Sequence, residues 1–245
     1  MRTQEQRKIV FLTECAVLIA IELIMSFTPL GFLRVGVVEI TFMTIPVALG
    51  AMLLGPMASL LLGTVFGIAS FVQCFGISAF GTLLFGINPV GALVLCIVPR
   101  ALMGYLCGVI FRGIRKGTGK DLLAFTVTSF SAAAMNTIFF VLTFALFFHG
   151  ATLDFGGGSV VDISQMNLID ILVFIAGVNG LVEVGVCTVL STAIGKALVH
   201  FVPKLSVNRA GVPANGADEA GTTEAAEDDA AEDEEDDDEE DEEEK

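Results

Sequence analysis

The chain has 245 residues, 54% of them hydrophobic, with a mean hydropathy of +0.78 and a formal net charge of −15. Soluble domains carry about 45–50% apolar and about 25% charged residues; here 17% are charged, which excludes an ordinary soluble domain for most of the length. Asp218 to Lys245 holds 19 of the 28 acidic residues, so residues 1–217 carry +3 and the negative balance belongs to the tail alone.

A bilayer core about 30 Å thick takes about 20 apolar residues per helix, and six segments qualify: 9–27, 38–54, 57–75, 89–111, 122–148 and 168–201. The expected fold class is therefore all-α, an integral membrane bundle of six transmembrane helices. Residues 1–8 form a cytoplasmic N-terminus and 9–201 the membrane domain. Residues 202–245 form a cytoplasmic tail, disordered and acidic from 218, because a run of like charge cannot bury apolar surface. The first apolar segment shows no small-residue cleavage site and is long enough to span.

Within the first span, Ala16 and Ala20 stand four apart, a spacing that flattens one helix face for close approach by another helix. Gly63 with Gly67, and Gly104 with Gly108, repeat the pattern and are read as internal packing. Pro46 is expected to kink the second span. Gly55-Pro56 ends it. Two longer connections, 76–88 and 149–167, are rich in Gly and Ser and are expected to be lids. Basic residues set the orientation: Arg2, Arg7, Lys8, Arg112, Arg115, Lys116, Lys120, Lys196, Lys204 and Arg209 fall on one side if both termini are cytoplasmic, against Arg34 on the other. The positive-inside rule then places both termini in the cytoplasm of a multi-pass protein in a prokaryotic plasma membrane.

Ionisable groups inside a span cost about 2.5–3.5 kcal/mol or more at its centre and are functional candidates by default. Arg100 sits near the middle of the fourth span and Glu183 near the middle of the sixth. Asn179 shares a helical face with Glu183 at i, i+4. Asn136 lies midway along the fifth span, Asn88 begins the fourth, and Gln73 ends the third. Two readings stay open for this group. In one, it lines a pocket for a small polar molecule and the planar fork of Arg100 holds an anionic group. In the other, Arg100 and Glu183 neutralise each other and the amides tie helices together. Glu22 and Glu39 are expected to reach toward the interface, and Glu14 to need cover from a partner.

Three patterns imitate chemistry. Gly117-Thr118-Gly119-Lys120 lacks the upstream Gly of a phosphate loop and continues with Asp121 rather than Ser or Thr. Asn88-Pro89-Val90 occurs once and is no water-channel repeat. His149 and His200, at opposite membrane faces, cannot form a catalytic pair or a metal site. Cys15, Cys74, Cys96, Cys107 and Cys187 show neither metal nor disulfide spacing and read as small buried hydrophobes. No nucleophile–base pair is present, so no enzyme and no cofactor are expected. A stand-alone carrier or channel is the alternative to a binding subunit; it calls for repeats with broken helices, and the two halves show none.

The run Thr44-Ile45-Pro46-Val47-Ala48-Leu49-Gly50-Ala51-Met52-Leu53-Leu54-Gly55-Pro56 resembles the second-helix signature of substrate-binding S components of energy-coupling factor (ECF) transporters. Gly63-Thr64-Val65-Phe66-Gly67-Ile68-Ala69-Ser70-Phe71 is similar to their third helix. Asn88-Pro89, Val98-Pro99-Arg100 and Asn136-Thr137 resemble the pantothenate-type branch. The likeness covers residues 9–201. It implies a non-enzymatic subunit that imports a B-vitamin or related nutrient, with pantothenate first. It further implies docking through Ala16 and Ala20 on a transmembrane T component and energising by two cytoplasmic ATPase subunits, with no nucleic-acid partner. In that reading Arg100 meets a carboxylate, and Asn136 and Asn179 bond hydroxyl or amide groups. The metal-binding branch relies on an N-terminal His that this chain lacks.

Overall fold

The computed structural model describes residues 4–35, 38–154, 160–175 and 177–201. The tail from 202 onward, and the disorder expected for it, lie outside the described residues.

Helix α1 (Gln4–Ser26) leads into an antiparallel hairpin, β1 (Phe32–Val35) and β2 (Val38–Thr41), with Phe32 opposite Thr41 and Val35 opposite Val38. Helix α2 (Thr44–Leu53) follows, and then α3 (Pro56–Gln73), α4 (Ala79–Ile87), α5 (Pro89–Thr118) and α6 (Asp121–Phe148). A second hairpin, β3 (Thr152–Asp154) with β4 (Val160–Asp162), and a short 3-10 turn lead to α7 (Leu168–Ile175) and α8 (Gly177–Phe201).

The protein is mostly helical, in line with the all-α expectation, and its connections carry two short two-stranded hairpins besides. Among the described residues, four helices (α1, α3, α5 and α6) are long and apolar enough to cross a membrane. The predicted second span begins as strand, because residues 38–41 pair with 32–35. What remains is a ten-residue helix about 15 Å long. Pro46 sits in its first turn, where no intrahelical donor is required, so the expected kink has no cause there. Over the predicted sixth span the described helices are α7 (Leu168–Ile175) and α8 (Gly177–Phe201), and Gly177 has φ +39°, a left-handed conformation that favours glycine. Of the expected lids, 76–88 contains α4, and the described part of 149–167 contains β3 and β4.

All ten residues of α2 are buried. A helix apolar on every side must be enclosed by protein, and α2 packs against α1, α3, α5, α6 and α8. The most extensive helix pairing is α3 with α5, made possible by glycines. A Cβ on Gly63 would lie 2.2 Å from the Arg100 carbonyl oxygen, one on Gly67 2.7 Å from Ile97 Cα, and one on Gly104 2.2 Å from the Ser59 carbonyl oxygen. The Ser59 hydroxyl donates across the seam to the carbonyls of Gly104 (2.7 Å) and Val47 (3.2 Å), tying α2, α3 and α5 at one point. The consequence for function is positional: the backbone of Arg100 is pressed directly on α3.

Gly119 ends α5 with φ +65°, its N–H donating to the Arg115 carbonyl. The glycine that imitated a phosphate loop is thus a left-handed helix cap. Asp121, in the first turn of α6, accepts from Arg115 at 2.9 Å and braces the α5–α6 corner.

Candidate functional site

Arg100 is placed by the proline beside it. Pro99 has no N–H, so the Leu95 carbonyl four residues back loses its helical partner. The Arg100 guanidinium replaces it, Nη1 donating to Leu95 O at 2.6 Å. The head group is held over two aromatic rings, 4.8 Å from the centroid of Phe140 on α6 and 5.3 Å from that of Phe66 on α3. Such cation–π contacts orient the guanidinium without consuming its donors. Arg100 is only 9% exposed, and its Nε–H has no hydrogen-bond acceptor.

Glu183 projects from α8 and is equally buried. One carboxylate oxygen accepts the Thr41 N–H at 3.4 Å, so the end of β2 fixes it; the other has no partner. The Asn136 side chain on α6 lies within hydrogen-bonding reach of this carboxylate, while Asn136 Oδ1 is also without a donor. Arg100 and Glu183 are near enough to interact electrostatically, and among the described residues no salt bridge within 4.0 Å joins them. Mutual neutralisation by contact is therefore not how either group is satisfied.

Arg100, Asn136 and Glu183 are thus brought together from α5, α6 and α8. Asn179 lies on α8 four residues before Glu183, and its side chain is outside the described residues. Asn88 caps α5, its Oδ1 accepting from Gly91 N at 2.9 Å. Gln73 is buried at the end of α3 and donates from Nε2 to the Ser26 carbonyl, tying α3 to α1. Ser26 in turn reaches the Met43 sulfur at 3.7 Å, so Gln73 borders the region through α1 and the start of α2. Ala16 and Ala20 are exposed on α1, flanked by exposed Leu12, Val17 and Ile24.

Three contributors were not singled out in the sequence. Thr41 acts through its backbone N–H, which leaves no side-chain signature. Phe66 and Phe140 act as faces for Arg100; Phe140 stands one turn from Asn136, and Phe66 falls between Gly63 and Gly67. Glu22 is a correction: expected to reach the interface, it is fully buried, and neither of its carboxylate oxygens has a hydrogen-bond partner. The Glu39 side chain lies outside the described residues.

Polar atoms this deeply buried are normally paired. Here a guanidinium N–H on α5, an amide oxygen on α6 and a carboxylate oxygen on α8 are buried without hydrogen-bond partners. The fold is a bundle with helices long and apolar enough to cross a membrane and with polar groups buried between them.

A family model for the substrate-specific component of ECF transporters matches residues 10–195. A curated relative, the pantothenic acid transporter PanT of Lactococcus lactis subsp. cremoris, is 31% identical over 66% of this chain and 78% of its own length. The solved structure of ThiT from Listeria monocytogenes shares the fold with a TM-score of 0.53 at 17% identity, covering 81% of this chain and 98% of that one. The chain belongs to the ECF transporter substrate-specific component family. It is a multi-pass membrane protein and a transport component, not an enzyme.

Proposed function

We propose that the protein is the S component of an ECF-type importer and that its substrate is pantothenate. The observation that carries this reading is the set of open polar atoms on three adjacent helices: Arg100 Nε, Asn136 Oδ1 and Glu183 Oε1. A ligand with a carboxylate at one end and hydroxyl and amide groups along its length complements this set. Arg100 takes the carboxylate as a charge-assisted donor. The Asn136 oxygen accepts from an amide N–H or hydroxyl, Glu183 accepts from a hydroxyl, and Asn179 contributes from the same helix face as Glu183. Asn88 and Gln73 border the site and set the ends of α5 and α3. The relative named for pantothenic acid supports the choice of substrate.

The bundle crosses the membrane six times, through α1, the β2–α2 segment, α3, α5, α6 and the α7–α8 pair. A short α2 is tolerable at membrane depth because neighbouring helices surround it; irregular backbone survives in a bilayer only where protein covers it. Both termini face the cytoplasm, as the distribution of basic residues indicates. The membrane domain ends near 201, and the acidic segment from 218 is a cytoplasmic appendage. The exposed Ala16 and Ala20 face of α1 docks on a transmembrane T component, which two cytoplasmic ATPase subunits energise.

The test is the ligand that the full chain retains through mild detergent extraction, read by native mass spectrometry. Pantothenate retained by the wild type and lost in Asn136→Ala supports the assignment. A different vitamin at full occupancy would replace pantothenate. Pantothenate retained equally by Asn136→Ala and Glu183→Ala would remove the site.

A further inference from the structure

The sequence spacing of the cysteines, 22 residues apart between Cys74 and Cys96, carries no disulfide signature, yet the fold brings these two together. Their sulfurs lie 3.8 Å apart, Cys74 at the C-cap of α3 and Cys96 in the third turn of α5. Both are buried, at 4% and 7% exposure. The Cys74 thiol donates to the Ser70 carbonyl at 3.4 Å, which turns it back along α3. Helix α4 closes over it: a Cβ on Gly81 would stand 2.8 Å from the Cys74 sulfur. The other cysteines are placed differently, Cys187 donating to the Thr41 carbonyl at 3.5 Å and Cys15 and Cys107 sitting in the core around α2.

We propose that Cys74 and Cys96 are a redox-active dithiol, a modification site at which an external disulfide closes a covalent staple between the end of α3 and α5. Two features favour closure here. Sulfurs in a disulfide stand about 2.05 Å apart, so this pair must approach by less than the length of one side chain. Cys74 also stands at a helix end, next to the Cys74–Ser78 turn, where Gly76 has φ +109°, so it is the half of the pair that shifts, while the Cys96 backbone is held on the glycine seam, its carbonyl oxygen 2.8 Å from a Cβ built on Gly67. Cys96 lies one turn before Arg100, and the guanidinium charge acts on both sulfurs, so the staple adjoins the candidate site and fastens the corner beneath α4.

The chemistry balances with a small apolar organic disulfide as oxidant. A thiolate of the pair attacks one reagent sulfur, the reagent S–S bond breaks, and one reagent thiol leaves. The second cysteine thiolate then attacks the mixed disulfide and expels the other reagent thiol. Two electrons pass to the reagent, and the two protons leave with its thiols.

The experiment treats the full chain, reconstituted in lipid nanodiscs and carrying Cys15→Ser, Cys107→Ser and Cys187→Ser, with dipyridyl disulfide. Expected are two pyridinethiones released per protein, a mass lower by two hydrogens, a proteolytic peptide joining Cys74 to Cys96, and reversal by dithiothreitol. Adding Cys74→Ser or Cys96→Ser should leave a single stable pyridyl adduct. The same peptide should form in the chain with all five cysteines, which guards against misfolding of the triple variant. Separate pyridyl adducts on Cys74 and Cys96, persistent free thiols at both, or a cross-link joining other cysteines in the five-cysteine chain would overturn the proposal.

Discussion

Gly63→Ala tests the link between packing and binding most sharply. The added methyl would stand 2.2 Å from the Arg100 carbonyl oxygen, 2.9 Å from its carbonyl carbon and 3.3 Å from Ala101 Cα. The obstacle is backbone, so no side-chain rotation relieves it, and α3 and α5 must separate by about 1.2 Å locally to restore van der Waals contact. Overpacking of this kind costs about 1–3 kcal/mol. In a domain of this size that lowers Tm by about 2–12 °C. Because the displaced atom belongs to Arg100, the guanidinium moves relative to Glu183 and Asn136, and ligand affinity should fall by at least about tenfold. Gly113→Ala is the control. Gly113 lies in α5, the helix of Arg100, with nothing within 4 Å of an added Cβ, so its substitution should leave binding unchanged and raise Tm slightly through helix propensity. The assays are thermal unfolding of detergent-solubilised protein and equilibrium ligand binding. A Gly63→Ala protein that melts and binds like wild type would refute the claim that the glycine seam positions Arg100.

Further outcomes follow from single contacts. Asn88→Ala removes the cap of α5 and should cost about 1 kcal/mol, seen as a lower Tm with little change in affinity; a large affinity loss at unchanged Tm would make Asn88 a ligand contact instead. Glu22→Met replaces a buried carboxyl that has no partner with an apolar chain of similar length, and should stabilise by about 1–3 kcal/mol in chemical or thermal unfolding. A fall in Tm there would mean the carboxyl is paired after all. Asp121→Asn removes the partly exposed contact with Arg115 and should change stability by less than about 1 kcal/mol. Deleting residues 218–245 should leave uptake in whole cells intact; loss of uptake at normal expression would give the tail a transport role.

Much of the architecture was readable from the residues. Helices α3 and α6 match predicted spans within two residues, while α1 starts five residues earlier than predicted and α5 runs seven residues further, because long apolar runs bounded by Gly, Pro or charge permit few alternatives for the apolar part. The second and sixth segments read as single helices because hydropathy cannot distinguish strand from helix over four residues. The β2 pairing rests on the preceding strand β1, and Gly177 at the start of α8 has a left-handed φ that hydropathy does not encode. The convergence of Arg100, Asn136 and Glu183 was legible because ionisable or amide groups inside apolar helices are rare and depth along a helix can be counted. Contributions made by the Thr41 backbone N–H or by the rings of Phe66 and Phe140 were not, since twenty phenylalanines gave no reason to single out two. Gln73 and Asn88 are polar residues that hydrogen-bond at helix ends, Gln73 to the Ser26 carbonyl and Asn88 to the Gly91 N–H.

Equilibrium binding of radiolabelled pantothenate to the purified full chain, wild type against Arg100→Ala, tests the central claim most directly. A charge-assisted hydrogen bond is worth about 1.5–3 kcal/mol, so the variant should bind about 10- to 150-fold more weakly while still unfolding in one cooperative transition, at a lower Tm because the Leu95 carbonyl loses its donor. Equal affinity in the two proteins, or no pantothenate binding by the wild type, would contradict the account.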